Sequence, residues 1–240
     1  MAGKAYIGTS GWHYKHWSGT FYPEKFSLKA MFAFYAKHFQ TVEINNSFYH
    51  LPEVSTFISW RENSPEDFIF AVKASRFITH MKKLKAPKTS TEKLFVRVEK
   101  LENKLGPILF QLPPSWNLNL ERLSMFLEAL PMEHRYTFEF RNQSWLVKEV
   151  LDLLSKHNAA FCIYDLAGFE TPAHVTANFA YIRLHGPGGK YQGDYPKSKL
   201  TQWATYARNW IGEGRDTFIY FDNDQQAFAV KNAQELMKMI

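Results

Sequence analysis

Apolar and polar side chains alternate in short stretches along this chain, and the stretch at 41–49, TVEINNSFY, has the clearest pattern. Val42 and Ile44 share one parity, whereas Glu43 and Asn45 share the other. Successive side chains of a β-strand point to opposite faces. The stretch therefore predicts a buried strand with two aliphatic residues on one face and a carboxylate and an amide on the other.

Eight segments of this kind recur along the chain, and each predicts one strand. They lie at 4–9, 41–45, 68–74, 107–111, 136–141, 159–164, 179–184 and 217–221. Nearly all are followed by apolar residues at helical spacing. These patterns predict helices over about 28–39, 54–63, 89–105, 119–130, 145–157, 199–211 and 226–240.

Local signals predict the ends of several helices. Serine is a favourable N-cap residue, and three predicted helices begin next to one: Ser27, Ser144 and Ser198. Thr89 and Glu92 have the spacing of a capping box, and Gly106 is expected to end the helix behind them. The link at 166–178 is too short and too rich in breaking residues for a full helix.

Strands that alternate with helices are typical of a parallel α/β sheet. Eight such units in 240 residues favour a closed (β/α)8 TIM-type barrel over an open doubly wound sheet. We expect it to be slightly irregular, with a weak or missing helix after the sixth strand. No linker, repeat or low-complexity segment interrupts the chain, so residues 1–240 are predicted to form a single domain.

Composition and charge indicate the class of partner and the compartment that we expect for the protein. The formal charge of +6 and the pI of about 9.2 favour an anionic partner, either a small molecule or nucleic acid. The single cysteine, Cys162, excludes a disulfide within the chain and favours a reducing compartment. No signal-peptide core and no long apolar run is present, so we expect a cytoplasmic protein without a membrane partner. The oligomeric state stays open.

Polar side chains stand at the carboxyl ends of seven of the eight predicted strands. These ends meet at one mouth of a barrel, where barrel enzymes hold their catalytic groups. Burying a lone charge is unfavourable, so the groups must pair with each other or meet a ligand. The set comprises Glu43, Asn45, Lys73, Gln111, Glu139, Arg141, Asp165, Arg183, His185 and Asn223.

The residue types suggest three kinds of role within this set. General acid and base chemistry is expected from the titratable groups: Glu43, Glu139, Asp165 and His185. A phosphate or carboxylate would be held by the cations: Lys73, Arg141, Arg183 and also Lys190, from the glycine-rich loop at 186–195, where barrels often bind phosphate. Orientation of the ligand would fall to the amides: Asn45, Gln111 and Asn223.

A structural interpretation of the same set is an ion-pair network that closes the barrel mouth. We favour a functional site, because buried ion pairs are a weak source of stability. Perturbed titratable groups also gather at functional sites.

Other chemistries have less support in the sequence. No cofactor is expected, since HxH and HExxH motifs do not occur. A single divalent metal ion stays open as an alternative at Glu139, Asp165, Asp222 and His185. Cys162 lies in a wholly apolar strand and is expected in the core rather than as a nucleophile. A Schiff base on Lys73 is disfavoured, because the nearby carboxylates would hold the amine protonated.

Several motifs together resemble one known family. They are GTSGWHY at 8–14, VEINNSFY at 42–49, FxVKASRxITH at 70–80, LGPxLFQLPP at 105–114, EFRxxSW at 139–145, YIRLHG at 181–186 and FDND at 221–224. In this combination the chain resembles the YecE-like family, domain of unknown function 72. The resemblance covers essentially the whole chain and implies a TIM-type barrel.

The resemblance implies no reaction, because no activity is established for the family. Its motifs fall on the polar residues that the strand ends already single out. The family pattern near the last strand is usually Asn-Asn. Asp222-Asn223 stands there in this chain, which leaves a role for position 222 open.

Three hypotheses for the function follow. The leading one is an enzyme that acts on an anionic, phosphate-bearing substrate, with phosphoester cleavage, including that of nucleic acid, as the first specific reaction. The second is a sugar-phosphate isomerase or lyase, because the fold alone does not choose a reaction. The third is a nucleic-acid-binding module without catalysis. Its support is the basic loop at 75–88 and the aromatic residues beyond the strand ends: Trp12, Trp17, Phe48, Tyr49, Trp116 and Trp145.

Overall fold

Nine strands and eight helices are present in the structure, a computed structural model that describes residues 2–240. The strands are Ala5–Thr9 (β1), Thr41–Ile44 (β2), Ile69–Lys73 (β3), Leu105–Leu112 (β4), Tyr136–Phe140 (β5), Ala160–Leu166 (β6), Phe169–Glu170 (β7), Phe179–Leu184 (β8) and Asp216–Phe221 (β9). The helices are Leu28–Tyr35 (α1), Asn46–Tyr49 (α2), Val54–Glu62 (α3), Pro87–Val98 (α4), Leu120–Glu128 (α5), Lys148–Lys156 (α6), Lys197–Gly212 (α7) and Phe228–Met237 (α8).

Eight of the strands form a parallel ring. Hydrogen-bonded neighbours follow the order β1-β9-β8-β6-β5-β4-β3-β2, and β7 pairs only with β6, in antiparallel fashion. The barrel closes between β1 and β2, where Ser10 and Glu43 form a parallel bridge. Close approach at this seam requires Gly8, since a Cβ there would lie 2.3 Å from the carbonyl oxygen of Thr41. The predicted TIM-type barrel is confirmed.

Strand alternation divides the core into two parts. Aliphatic and aromatic residues of one parity, such as Val42 and Phe110, pack outward against the helices. Residues of the other parity, such as Leu109 and Tyr181, fill the barrel interior as a separate cluster. Nearer the carboxyl ends of the strands, the inward-facing positions carry polar side chains instead of apolar ones. The charged residues therefore form a layer on top of the packed apolar interior.

The irregularity after the sixth parallel strand is confirmed. In place of a helix, the link contains β7, whose Glu170 pairs in register with Asp165 of β6. Thr171 and Thr176 donate and accept hydrogen bonds with the β6 backbone and so cover its edge. Among the described residues, no helix is long and apolar enough to cross a membrane.

Several predicted helix ends were wrong. Helix α4 begins at Pro87, whose fixed φ suits a first helical position, so Thr89 and Glu92 lie inside the helix instead of capping it. Gly106 lies within β4, where a Cβ would come 2.7 Å from Ile69 Cγ2, so it serves strand contact rather than a helix end. Ser27 makes no capping hydrogen bond through its side chain. Ser144 and Ser198 do not hold the N-cap positions of α6 and α7, which Val147 and Pro196 occupy.

Candidate functional site at the barrel mouth

The guanidinium of Arg183, which β8 points into the barrel, is the centre of the charged layer. Its Nε lies 3.0 Å from Glu43 Oε2, its Nη1 lies 2.7 Å from Glu139 Oε2 and its Nη2 lies 3.2 Å from Asp222 Oδ2. The side chain is fully buried. Burial lowers the pKa of Arg183, but the carboxylates of Glu43, Glu139 and Asp222 outweigh this and raise it well above its usual value.

The two glutamates beneath the mouth are fully satisfied acceptors. Glu43 accepts hydrogen bonds from Ser10 Oγ and from the Tyr181 hydroxyl, both at 2.6 Å, in addition to Arg183. Glu139 accepts from Arg141 Nε and from Arg183. Both glutamates are fully buried. Their predicted role as general acid and base is not supported by this position, because no carboxylate oxygen reaches the open mouth.

The ionisation of Glu139 follows from the same contacts. Burial raises the pKa of this carboxyl, but Arg141 and Arg183 outweigh the effect and hold it well below its usual value. The thiol of Cys162 lies 3.8 Å from Glu139 Oε2, and burial raises the pKa of that thiol well above its usual value. Cys162 is therefore an inert member of the barrel interior, as expected.

The neighbours of His185 indicate which of its two ring nitrogens accepts and which donates. Its Nε2 lies 2.8 Å from Arg141 Nη2 and 3.3 Å from Arg183 Nη1, and a guanidinium can only donate. The lone pair is therefore on Nε2 and the proton on Nδ1, which donates to Asp222 Oδ2 at 2.9 Å. His185 is fully buried, so it orients Asp222 and the arginines rather than reaching a substrate itself.

Asp222 is the carboxylate closest to the open mouth. It is 8% exposed, and its Oδ2 accepts from both Arg183 and His185, whereas Oδ1 accepts no hydrogen bond from residues 2–240. Burial raises the pKa of Asp222, but the hydrogen bond from His185 and the charge of Arg183 lower it below the usual value. The residue is ionised at neutral pH and has one free oxygen.

Arg141 lies above this layer. Its Nε donates to Glu139, its Nη2 to His185, and its guanidinium carbon lies 4.9 Å from the centre of the Tyr164 ring. The side chain is 9% exposed, unlike that of Arg183. Arg141 is therefore a cation that the buried groups hold in place at the floor of the mouth.

Lys73 differs from the other cations of the mouth. It is partly buried at the end of β3 and forms no salt bridge with a carboxylate in the described part of the chain. Its Nζ lies 4.3 Å from the centre of the Phe48 ring, which the short helix α2 places beneath it. Burial and the charge of Arg183 lower the pKa of Lys73 to about 8, and this outweighs the opposite effect of Glu139, Glu43 and Asp222. With a pKa of about 8, the amine is mostly protonated at neutral pH, as expected, but the carboxylates offset the effect of burial only in part.

A basic rim continues from Lys73. The segment at 68–91 contains six lysines and arginines and no acidic residue, and it includes the loop at 75–88. His80 stands in this loop, where its ring lies 5.0 Å from that of Phe48. Burial, Lys73 and Arg76 lower the pKa of His80 to about 4, so it stays neutral at physiological pH.

Two of the predicted amides, Asn45 just after β2 and Gln111 in β4, lie at the mouth. Gln111 has the inward parity of Leu109, is paired in register with Glu139 and is partly buried. Asn45 is also partly buried, and its Oδ1 is a buried atom without a hydrogen-bond partner.

Three predicted site residues do not join the cluster. Asp165 and Asn223 have the outward parity of their strands: Asp165 lies beside Tyr195 and Lys199, and Asn223 donates to Asn232 Oδ1 at 2.9 Å. Lys190 is exposed on its loop. Asp165 and Asn223 were selected as strand-end polar residues without regard to parity, whereas Lys190 was selected from its glycine-rich loop.

Parity also identifies residues of the mouth to which the sequence assigned no acid–base or anion-binding role. Asp222 shares the inward face with Phe218 and Tyr220, so alternation along β9 could have placed it in the mouth. Tyr181 shares the face of Arg183 in the same way. Ser10 and Tyr14 carried no comparable signal, because they follow the end of β1.

The four side chains considered as metal ligands have other contacts in the structure or lie apart. Among residues 2–240, no group of three or more His, Cys, Asp or Glu side chains has the geometry of a metal site. Glu139 accepts from arginines, Asp222 Oδ2 accepts from Arg183 and His185, and Asp165 lies on the other face of β6. The four side chains that the sequence left open for a divalent ion therefore do not converge as one set of ligands.

Comparison with protein-family models decides the relationship of this chain. The model described as "Protein of unknown function DUF72" matches residues 6–240. The chain belongs to the DUF72 family. This confirms the resemblance to YecE-like proteins that the motifs indicated.

Named relatives of this DUF72 protein are themselves described only by family. It is 25% identical to the UPF0759 protein YunF of Bacillus subtilis, over 98% of this chain and 94% of YunF. It is 29% identical to the UPF0759 protein YecE of Escherichia coli K12, over 60% of this chain and 50% of YecE.

Solved structures of the family have the same fold. A DUF72 family protein of Thermotoga maritima, TM1631, superposes with a TM-score of 0.90 at 28% identity, covering 98% of both chains. A DUF72 protein of Enterococcus faecalis, EF0366, superposes with a TM-score of 0.76 at 18% identity, covering 98% of this chain and 94% of that one.

Proposed function

We propose that this DUF72 protein is an enzyme whose barrel mouth binds the phosphate group of a small substrate. Side chains of the mouth would then transfer protons to and from that substrate. The observation that carries the proposal is Lys73: a partly buried amine at the mouth that has no carboxylate partner among residues 2–240. A buried charge without a partner is unfavourable. A bound anion would supply the missing partner.

The position of the charges, rather than their number, favours an anion. Three carboxylates balance three cations, but the carboxylates of Glu43 and Glu139 lie beneath the mouth and point at arginines. Lys73 and Arg141 lie above them, and the acid-free rim extends the positive field outward. Such a field raises the local concentration of anionic ligands.

The groups that reach the mouth are suited to proton transfer. Asp222 has a free Oδ1 and is ionised, so it can accept a proton from an attacking water. Lys73, with a pKa of about 8, can donate a proton to a departing alkoxide near neutral pH. In phosphoester cleavage the water oxygen would bond to phosphorus while the ester oxygen leaves with the proton of Lys73. The roles predicted for Glu43, Glu139, Asp165 and His185 thus pass to Asp222 and Lys73.

A sugar-phosphate isomerase or lyase is the second candidate, and the same pair of groups favours it. The free oxygen of Asp222 could take a proton from carbon while the ammonium of Lys73 protonates a carbonyl oxygen. Assays that compare hydrolysis of phosphate esters with isomerisation or cleavage of sugar phosphates separate the two candidates.

Isothermal titration calorimetry with inorganic phosphate at pH 7 tests the binding step. Wild type is compared with Lys73→Met, Arg141→Met and the control Lys156→Met, an exposed lysine of α6 outside the rim. We expect phosphate to bind wild type and Lys156→Met alike, with at least about a tenfold loss in the other two variants, as for a charge-assisted hydrogen bond. Equal binding by all four proteins, or none by wild type, would contradict the proposal.

A further inference from the structure

A cavity lies beside the mouth rather than over the ion pairs. It has a volume of about 740 Å³ and lies between the loop after β1, helix α1 and helix α3. A cavity of this size is within the usual range for small-molecule sites. The residues that matter to its chemistry are Trp12, Tyr14, Phe32, Asn45 and Trp60.

Aromatic rings form the walls of this cavity, which we call the α1–α3 groove. Trp12 lies edge-to-face with Trp60, with ring centres 5.4 Å apart, and 5.2 Å from Phe32. Trp60 is backed by Phe57 at 5.3 Å, a fully buried core residue. Partly buried indoles that are held from behind give a groove with fixed, flat apolar surfaces.

One polar group in the groove lacks a partner. Asn45 lines the cavity, and its Oδ1 is buried without a hydrogen bond in the described structure. Buried polar atoms are nearly always paired, and an exception calls for an explanation. A primary amide offers an acceptor and two donors side by side. A ligand with a donor and an acceptor on one edge would satisfy it.

The groove and the mouth share a wall. The Tyr14 hydroxyl donates to the Ser10 carbonyl oxygen at 2.6 Å, and Ser10 Oγ donates to Glu43 at the same distance. The backbone N–H of Gly11 donates to the carbonyl oxygen of Glu43 at 2.8 Å. One ligand could therefore extend from the charged floor of the mouth into the groove.

We infer that the α1–α3 groove binds the base of a nucleotide whose phosphate lies at the mouth, an inference that rests on the proposed function. The indole faces would stack on the planar ring, a contact that every base can make. The amide of Asn45 would pair with a base edge that carries an amino group next to a ring nitrogen, as asparagine does with adenine. Only Lys29 and His13 bring basic groups to the groove, which fits a neutral ring better than a chain of phosphates.

Calorimetry with three probes tests the inference: adenosine, adenosine monophosphate and ribose 5-phosphate. We expect the monophosphate to bind at least about tenfold more tightly than ribose 5-phosphate, in line with one stacked base. Asn45→Ala should weaken the binding of both adenine compounds about tenfold and leave the affinity for ribose 5-phosphate unchanged. The exposed helix variant Asn209→Ala is the matched control and should change none of the three.

Tryptophan fluorescence provides a second readout that does not depend on folding of an alanine variant. Adenosine should quench wild type, and Trp60→Phe should reduce the amplitude of quenching while the protein still binds. Equal affinities for the monophosphate and ribose 5-phosphate, both lost in Lys73→Met, would overturn the groove inference and leave the proposed function standing. Binding of adenosine through Asn45, without any gain from phosphate, would contradict the proposed function and leave the groove as a site for the base alone. Binding of a neutral oligosaccharide in place of adenosine, lost in Asn45→Ala, would also overturn it.

Discussion

Exposure separates the charged residues of the mouth into two kinds. Arg183, Glu43 and Glu139 are fully buried and satisfy one another, so they hold the geometry of the site. Lys73 and Arg141 are only partly buried and retain contact with the mouth. Replacing a residue of the first kind should destabilise the fold, whereas replacing one of the second kind should weaken ligand binding without destabilising the fold.

Glu43→Gln tests the first kind. Removing one partner of a buried pair leaves the other charge uncompensated, so we expect a loss of about 3–5 kcal/mol in the free energy of unfolding. The matched control is Glu53→Gln, which removes the exposed partner of Arg97 and should cost about 1 kcal/mol or less. Urea unfolding of both variants measures the difference. A loss from Glu43→Gln no larger than that of the control would show that the network is not structurally important.

Lys73→Met tests the second kind through the pH dependence of stability. The pKa of Lys73 is lowered to about 8 in the folded protein from a usual value of 10.5. The unfolded chain therefore binds this proton more tightly, so the amine destabilises the fold below pH 8 and ceases to do so above about 10.5. We expect Lys73→Met to be more stable than wild type at pH 7, by about 1–3 kcal/mol, and the gain to vanish near pH 10.5. Thermal unfolding without phosphate measures it, and a variant less stable than wild type at pH 7 would contradict the lowered pKa.

At the scale of the elements, the loop after β8 positions an aromatic ring over the site. Tyr191 lies edge-on to His185, with ring centres 5.7 Å apart. The loop begins at Gly186, whose φ of +116° is a conformation that other residues rarely adopt. A Cβ there would lie 2.2 Å from the carbonyl oxygen of Gln192. Glycine is therefore needed at this position.

Gly186→Ala should displace the loop, whereas Gly188→Ala should not. Nothing lies within 4 Å of a Cβ built on Gly188, which makes it a matched control two residues away. We expect Gly186→Ala to cost about 1–3 kcal/mol of stability, as for a strained backbone position, and to speed proteolysis of the loop at 186–195. Similar stability and cleavage rates for the two variants would mean that the loop tolerates the change.

Strand elements could be predicted from the sequence because a repeat of two residues survives in every barrel strand. The same repeat contained the information that Asp222 faces inward and that Asp165 and Asn223 face outward. The sequence could not predict how deeply each charged side chain is buried, because burial depends on contacts between distant strands. The position of Phe48 under Lys73 is of this kind, because it depends on the short helix α2. The open Oδ1 of Asp222 likewise depends on partners from β8.

At the scale of the whole molecule, the seam between β1 and β2 completes the barrel and places Ser10 beside Glu43. Gly8→Ala would put a Cβ 2.3 Å from the carbonyl oxygen of Thr41 and push the two strands apart. We expect a loss of about 1–3 kcal/mol, typical of overpacking, and faster amide hydrogen exchange in β1 and β2. Gly212→Ala, with nothing within 4 Å, is the control and should be neutral or stabilising. Unchanged exchange in Gly8→Ala would mean that the seam does not hold the barrel closed.

The central claim is that an oxyanion binds at the barrel mouth against Lys73 and Arg141, above a buried network that holds them in place. Diffraction from crystals soaked in selenate tests it most directly, because the anomalous signal of selenium locates the anion. The account predicts a strong peak within hydrogen-bonding distance of Lys73 Nζ and of the Arg141 guanidinium, absent from crystals of Lys73→Met. Peaks only at exposed lysines, together with a salt bridge between Lys73 and Asp222 or Glu139, would contradict it.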